Sequence, residues 1–258
     1  MNRYLMGVAL AAGALPLGRS MARAQDPFEI QVYEAETVPK GRWNLETHFN
    51  YTFKGTTGFQ GPVSPTQRQS HLTFELTRGI TKTFEMAGYL VLASRAGAGT
   101  ELVGYRLRPR ISAPHEWRWP VGVSFSAEVG FPRKTYEENS VTLELRPIIE
   151  KKIGRLQLDL NPVIGRALKG PGSSDGWDFE PGVRVGIETT PKLDLSVEYY
   201  GSLGPVGAWA PAADQVHQFF FGGDYQLSEN IVWNFGYGVG ATSVGNRSVL
   251  KMRLGVMF

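Results

Sequence analysis

A repeating alternation of apolar and polar residues is the feature that most constrains this chain. From Trp43 onward it recurs in runs of about ten residues bounded by Gly, Pro, Asn, Asp or Ser, with no amphipathic-helix pattern between them. One run places Val123 and Phe125 on one side of a strand, and Ser124 and Ser126 on the other. We count twelve runs, at 43–53, 67–77, 83–92, 101–113, 120–131, 141–150, 155–168, 177–189, 193–202, 215–227, 231–242 and 248–258.

The links between the runs alternate in length. Short links follow the even-numbered runs, at 78–82, 114–119, 151–154, 190–192 and 228–230. Longer links rich in Gly, Pro and Ser follow the odd-numbered runs, at 54–66, 93–100, 132–140, 169–176, 203–214 and 243–247. An even number of strands with short turns at one end and longer loops at the other is typical of transmembrane barrels. The sequence therefore predicts an all-β fold, a closed antiparallel transmembrane β-barrel of about twelve strands over residues 43–258.

The distribution of aromatic residues indicates which face of the strands points outward. They gather near both ends of the runs, at Trp43, Phe84, Trp119, Tyr225, Trp233 and Phe258 on the short-turn side and at Phe53, Phe131, Trp177, Phe179 and Tyr199 on the loop side. Two aromatic girdles around an apolar band are typical of membrane barrels. A soluble lipocalin-like barrel, the alternative for an alternating chain, typically has about eight strands. We therefore expect the apolar face to meet lipid.

The amino-terminal residues have the features of a secretory signal peptide. A basic start and a short apolar run, MNRYLMGVALAAGALPLG, precede the small-x-small motif Ala22-Arg23-Ala24. The apolar run is shorter than the roughly 20 residues of a spanning helix. We predict a signal peptide over 1–24, cleaved near Ala24. Residues 25–42 then form a periplasmic amino-terminal extension, for which an extended tail, a short helix and a plug in the lumen all stay open.

Charge and cysteine content exclude several classes of function. Removing the predicted leader takes away Arg3, Arg19 and Arg23 but no acidic residue, which leaves as many basic as acidic residues. A nucleic-acid-binding protein would carry a basic footprint, so we predict no nucleic-acid partner. The chain has no cysteine, which excludes disulfides, thiolate metal sites and a cysteine nucleophile. We predict no cofactor and no metal.

The polar face of the strands would line the lumen, and it is rich in charge. A row of arginines on one run, Arg106, Arg108 and Arg110, suits carboxylate or phosphate groups and predicts a filter for small polar or anionic solutes. The alternative is an ion-pair lattice that stiffens a closed barrel. The candidate solute pathway consists of Arg106, Arg108, Arg110, Arg146, Arg184, Glu128, Glu144, Asp178, Glu180, Lys251 and Arg253.

Histidines and candidate nucleophiles give weaker indications. His48 and His71 fall on the lumen face of neighbouring runs and could approach one another, but no third metal ligand at a fixed spacing stands out. Serine, histidine and acidic residues are present, but none lies in a frame such as G-x-S-x-G. We therefore predict no catalytic residues and no enzyme.

Several segments resemble bacterial outer-membrane proteins. The segment DPFEIQVYE at 26–34, followed by LETHFNY at 45–51, resembles the opening of the family of transporters of the MetA pathway of phenol degradation. The turns TRGITK at 77–82 and LSENI at 227–231, and LNP at 160–162, are also similar. The last nine residues, LKMRLGVMF, resemble the terminal strand of outer-membrane barrels, which implies recognition of Leu254, Val256 and Phe258 by the barrel-assembly machinery.

These resemblances and the alternation lead to one expectation with two alternatives. We expect a barrel in the bacterial outer membrane, in contact with its lipid, that acts as a passive channel or transporter for an unidentified small solute. The first alternative is a closed structural or interaction barrel without transport. The second, less favoured, is a lipid hydrolase of the outer membrane.

Overall fold

The computed structural model describes residues 26–258. The predicted signal peptide at 1–24 and its cleavage after Ala24 lie outside this range. Among the described residues, no helix combines the length and apolar character needed to cross a membrane. The helical content of this range consists of two single 3₁₀ turns, His115–Trp117 and Pro171–Ser174.

Long β-strands make up most of the described chain, as the period-two runs predict. Twelve of them have 10 to 14 residues, and one short strand, β10, has two. The strands are β1 Trp43–Lys54, β2 Gln69–Gly79, β3 Phe84–Arg95, β4 Gly99–Ser112, β5 Gly122–Pro132, β6 Val141–Ile153, β7 Leu156–Lys169, β8 Asp178–Thr190, β9 Leu193–Ser202, β10 Gly204–Pro205, β11 Val216–Ser228, β12 Ile231–Gly240 and β13 Ser248–Met257.

The twelve long strands close into one antiparallel barrel. Each pairs with its chain neighbours, with β9 pairing to β11, and β13 returns to β1 with Tyr51 opposite Leu250. The two-residue β10 adds to the loop end of β8, where Gly204 lies opposite Phe179. Closure gives each of the twelve long strands two partners, which satisfies backbone polar groups where no water is available. The predicted fold class, a closed barrel of about twelve strands, is confirmed.

The two faces of the wall have opposite polarity to those of a soluble barrel. On β2, His71, Thr73, Glu75 and Thr77 point inward and are buried, whereas Leu76 on the opposite face is 41% exposed. The same alternation exposes large apolar side chains around the outside, among them Leu90, Leu107, Ile111, Phe125, Leu160, Val185, Val197, Phe221, Tyr237 and Leu254. The ionisable side chains therefore face the lumen, as the pattern predicts.

One connection on the loop side departs from the predicted alternation of link lengths. The link predicted at 93–100 shrinks to a tight turn at 96–98, because β3 and β4 stay paired as far as Arg95 and Gly99. Gly97 and Gly99 have φ of 81° and 71°, the left-handed values that such a turn requires and that glycine adopts without strain.

Prolines interrupt the hydrogen-bonded ladder on one side of the wall. The pairing of β6 with β7 breaks off over residues 146–148, the segment that contains Pro147. Pro162 on β7 lies directly opposite Pro181 on β8. Because proline has no N–H to donate, this region of the wall has fewer backbone hydrogen bonds than its surroundings.

Candidate functional site

The lumen of the barrel is occupied by the chain's own residues 26–38, which we call the plug. Residues 39–42 form a turn beneath the end of β2, where Gly41 N donates to Gly79 O at 2.9 Å. From this short-turn mouth the plug runs up the lumen to Pro27, whose carbonyl accepts from Asn50 Nδ2 at 3.0 Å. Residues 26–38 lie inside the barrel. Of the three forms that the sequence left open for the amino-terminal extension, the structure therefore shows the plug.

Side chains of the wall take the place of a neighbouring strand for the plug backbone. Asn161 Oδ1 accepts from Tyr33 N at 2.7 Å, and Asn161 Nδ2 donates to Tyr33 O at 3.0 Å. The amides of Ala35 and Val38 donate to wall carboxylates, Glu150 at 2.9 Å and Glu85 at 2.6 Å. Buried peptide groups require partners, and here side chains supply them.

Basic residues of the wall satisfy the carbonyl groups of the plug. Arg110 donates to Glu34 O at 3.1 Å and to Glu36 O at 2.7 Å. Lys251 donates to Ile30 O at 3.4 Å. These contacts use the cationic side chains to hold the plug, which removes them as free ligands for a passing anion.

The apolar side chains of the plug pack on three apolar patches of the lumen wall. Phe28 lies in a cluster with Ala87, Tyr89, Val91, Ala93, Val103 and Tyr136. Ile30 and Val32 pack with Tyr200, Phe220 and Val249. Tyr33 and Ala35 pack with Ile148. A β-carbon at Gly122 would lie 2.9 Å from the Ala35 side chain, so glycine gives the plug room at that point.

Tyr33 is the most heavily contacted residue of the plug. Its ring lies 4.5 Å from the guanidinium carbon of Arg108, 4.6 Å from that of Arg146 and 5.5 Å from that of Arg110. Its hydroxyl is hydrogen-bonded to Glu29 and lies 3.1 Å from the hydroxyl of Tyr89. Three cation–π contacts on one buried ring hold the middle of the plug in place.

Each arginine of the β4 row has acidic partners. Arg106 contacts Asp26 and Glu29 of the plug and lies 3.1 Å from Glu128. Arg108 reaches Glu75 at 2.5 Å and Glu85 at 3.3 Å, and Arg110 reaches Glu85 at 2.8 Å. These pairs match the ion-pair lattice, which the sequence left open as the alternative to an anion filter.

The other predicted lumen residues also lie on the inner face. Arg146 pairs with Glu144 at 2.6 Å, and Lys251 pairs with Glu198 at 2.5 Å. Arg184 on β8 and Arg253 on β13 share Asp224, at 3.0 Å and 3.5 Å. Arg184 also pairs with Asp159 at 3.2 Å, and Arg253 with Glu46 at 2.6 Å. The sequence alone does not give the register between strands. It therefore could not predict which acidic residue on another strand pairs with each of these basic residues.

Above the plug, at the loop end, the lumen opens into a cavity of about 940 Å³, which we call the vestibule. Its acidic lining residues are Asp26, Glu128, Glu137, Glu138, Glu144, Asp175, Asp178 and Glu180, and its basic ones are Arg106 and Arg166. Asp178 and Glu180, predicted for the solute pathway, therefore face this cavity. An excess of one sign of charge in a narrow mouth focuses the field there and concentrates counterions, in this case cations.

One carboxyl group of the plug is destabilised as an anion by its surroundings. Burial raises the pKa of Glu29, and the nearby carboxylate of Glu75 reinforces the shift. Seating of the plug is therefore coupled to proton uptake.

The sequence suggested that His48 and His71 could approach one another. In the structure, each ring instead contacts different residues. His71 lies edge-on to Phe28, 4.7 Å between ring centroids, and its Nε2 is bonded to Gln69 Oε1 at 2.5 Å. His48 instead faces Glu75, with 3.6 Å between Nε2 and Oε2.

Comparison with known proteins relates this chain to other barrels through structure alone. No family model matches it, and no curated protein matches its sequence. An outer-membrane channel from Pseudomonas putida F1 superposes with a TM-score of 0.62 at 12% identity, covering 89% of this chain and 100% of that one. The NanC porin gives 0.55 at 11%, and the KdgM porin in complex with disordered oligogalacturonate gives 0.53 at 7%. Each of the two covers 83% of this chain and 98% of its own. At these identities the likeness establishes the fold, a closed barrel of the kind found in outer-membrane channels.

Proposed function

We propose that this chain is a passive channel of the bacterial outer membrane whose lumen is occupied by the plug in the resting state. The observation that carries the proposal is the plug itself, seated along a lumen whose wall is complete without it. The outward apolar face and the fold shared with channel proteins support a place in the membrane.

The contacts of the plug are those of a removable segment rather than of a barrel strand. It is held by side-chain hydrogen bonds, ion pairs and three apolar patches, whereas all wall strands pair among themselves. Its withdrawal through the short-turn mouth would break no strand ladder of the wall. We therefore expect the barrel to stay folded when the plug leaves.

The vestibule supports small cationic or neutral solutes as the class admitted. Its lining has more acidic than basic residues even when Arg106 is set against its partners Asp26 and Glu128, so it attracts cations. The β4 arginines already have acidic partners. The ligand named for the KdgM porin, oligogalacturonate, is a polyanion. An acidic mouth disfavours such a ligand, and it favours cations over the anions that the arginine row alone predicts.

A closed barrel without transport is the competing function. The lattice of buried ion pairs and the fit of the plug to its three apolar patches favour it.

Conductance through planar bilayers separates the channel from the closed barrel. The mature chain is compared with a variant in which residues 26–38 are replaced by a Gly/Ser segment of equal length. We expect rare openings of the mature chain and sustained open steps of the variant, with a reversal potential that indicates cation preference. A variant that is folded, as heat-modifiable migration in gels verifies, but electrically silent would contradict the channel.

Membership in the MetA-pathway transporter family stays a prediction, and so does recognition by the barrel-assembly machinery. The first segment that carries the family resemblance, 26–34, lies within the plug, which links the resemblance to the occluded lumen. For assembly we propose that Phe258, with Leu254 and Val256 on the same face of β13, forms the recognised signal. Deleting Phe258 should slow insertion of the barrel in cells, measured by the fraction of heat-modifiable protein.

A further inference from the structure

We propose that Glu46, His48 and Glu75 form a binding site for a divalent transition-metal ion of the zinc class at the boundary between wall and plug. One potential ligand atom from each of these residues lies within 4.8 Å of the other two. This site goes beyond the channel function and does not depend on it.

The register of two strands brings these three side chains together. Glu46 on β1 lies opposite Glu75 on β2, and His48 follows Glu46 by two residues. With the period of two along a strand, all three project into the lumen from adjacent positions. Their place near the start of β1 puts them close to the short-turn mouth, from which an ion could enter.

The imidazole of His48 is the observation that points to a ligand. Its Nε2 is buried and has no hydrogen-bond partner among residues 26–258, which is costly for a buried polar atom. It lies 3.6 Å from Glu75 Oε2, too far for a hydrogen bond. Two ligands about 2.1 Å from a tetrahedral zinc ion lie roughly 3.4 Å apart, so a shared ion fits the gap.

The surrounding groups orient the carboxylates as outer-shell partners do in metal sites. Arg108 and Thr77 both bind Glu75 Oε1, at 2.5 Å and 3.0 Å, which leaves Oε2 directed towards His48. Arg253 binds Glu46 Oε1 at 2.6 Å. Such contacts fix ligand orientation. Because the two guanidinium groups offset the carboxylate charges, binding depends on the imidazole, which favours zinc-class ions over Mg²⁺.

The plug offers a further donor on the open side of this group. The hydroxyl of Tyr33 lies 3.4 Å from Glu75 Oε2 and is hydrogen-bonded to Glu29. A bound ion would therefore contact both wall and plug and hold the plug in its seat. We expect the metal to bind more weakly when the plug is absent.

The test is calorimetric titration of ZnCl₂ and of MgCl₂ into the full mature chain, folded in detergent. We expect one zinc ion per chain and no heat from magnesium. His48→Gln should weaken zinc binding by about tenfold or more, and the control His217→Gln, which alters a histidine hydrogen-bonded to Tyr199 and Gln215, should leave it unchanged. Equal losses in both variants, or no zinc binding by the mature chain, would overturn the site.

A second measurement covers the case in which His48→Gln does not fold. Glu46→Gln changes the most accessible of the three residues, and we expect the same loss of zinc affinity. Co²⁺ bound to the mature chain should show the visible d–d absorption of a tetrahedral site, and this absorption should be lost in Glu46→Gln. Unchanged absorption in this variant would contradict the proposal. None of these readouts involves conductance, so a failure here is distinct from a failure of the channel.

Discussion

Asn161 pairs with Tyr33 as one strand pairs with another, accepting from its N–H at 2.7 Å and donating to its C=O at 3.0 Å. The two residues are 128 positions apart in the chain, and the pair lies midway along β7, beside Pro162. A single wall side chain thus satisfies the backbone N–H and C=O of one plug residue. The pair joins the occluding segment to a wall that needs nothing from it in order to close.

We expect Asn161→Ala to loosen the plug without unfolding the barrel. The change leaves two buried peptide groups unpaired at a cost of about 1–3 kcal/mol each, and each such loss is about a 5–150-fold shift in the seating equilibrium. Single-channel recording should show a higher open probability. The control is Asn234→Ala, because Asn234 bonds Asp224 of the wall instead of the plug. Equal opening in both variants would mean that the wall, and not the plug, has been disturbed.

Tyr33→Leu should open the channel more than Tyr33→Phe does. Leucine removes all three cation–π contacts, each worth about 0.5–2 kcal/mol, whereas phenylalanine keeps the ring and loses only the hydroxyl contacts. The measurement is again open probability, together with the thermal midpoint of the barrel. Tyr51→Leu, on the outer face of β1, serves as the control. If Tyr33→Leu and Tyr33→Phe have equal effects, the hydroxyl of Tyr33 and not its contacts with the arginines holds the plug in place.

The channel should open more often as pH rises. Burial raises the pKa of Glu29 in the seated plug above that of a solvated glutamate. Its protonated form thus favours seating, an effect fully present below the ordinary glutamate pKa and lost as pH climbs through the raised value. Recording open probability over a pH series measures this. Glu29→Gln should flatten the profile, and a profile as steep as that of the unmodified chain would place the titrating group elsewhere.

Neutralising vestibule acids should reduce the preference for cations. Glu138→Gln and Asp175→Asn alter two acidic lining residues on the loops. In the plug-replaced barrel we expect the reversal potential under a KCl gradient to move towards zero. The shift should be larger at about 0.1 M than at 1 M salt, where the Debye length falls from roughly 10 Å to 3 Å. Glu116→Gln, in the turn at the opposite mouth, should have less effect.

The alternation of apolar and polar side chains predicts most of the fold, because a period of two fixes which face of the strand each residue occupies. It placed Arg106, Arg108 and Arg110 in the lumen without knowledge of any partner. The register was out of reach, so the sequence could not pair Arg108 with Glu75. The plug was harder still, since an extended segment held by distant side chains has no local signal. The contact of Ala35 N with Glu150 spans 115 residues and has no trace in any short window.

A reversible cross-link between plug and wall tests the central claim most directly. Ala35 and Ile148 share one buried cluster, and the chain has no cysteine of its own, so Ala35→Cys with Ile148→Cys introduces a single pair. Conductance is recorded in bilayers after oxidation and again after reduction. We expect the oxidised protein to form the cross-link and stay closed, and the reduced protein to regain the openings of the unmodified chain. Failure to cross-link, or the same conductance in both redox states, would contradict a lumen occluded by residues 26–38.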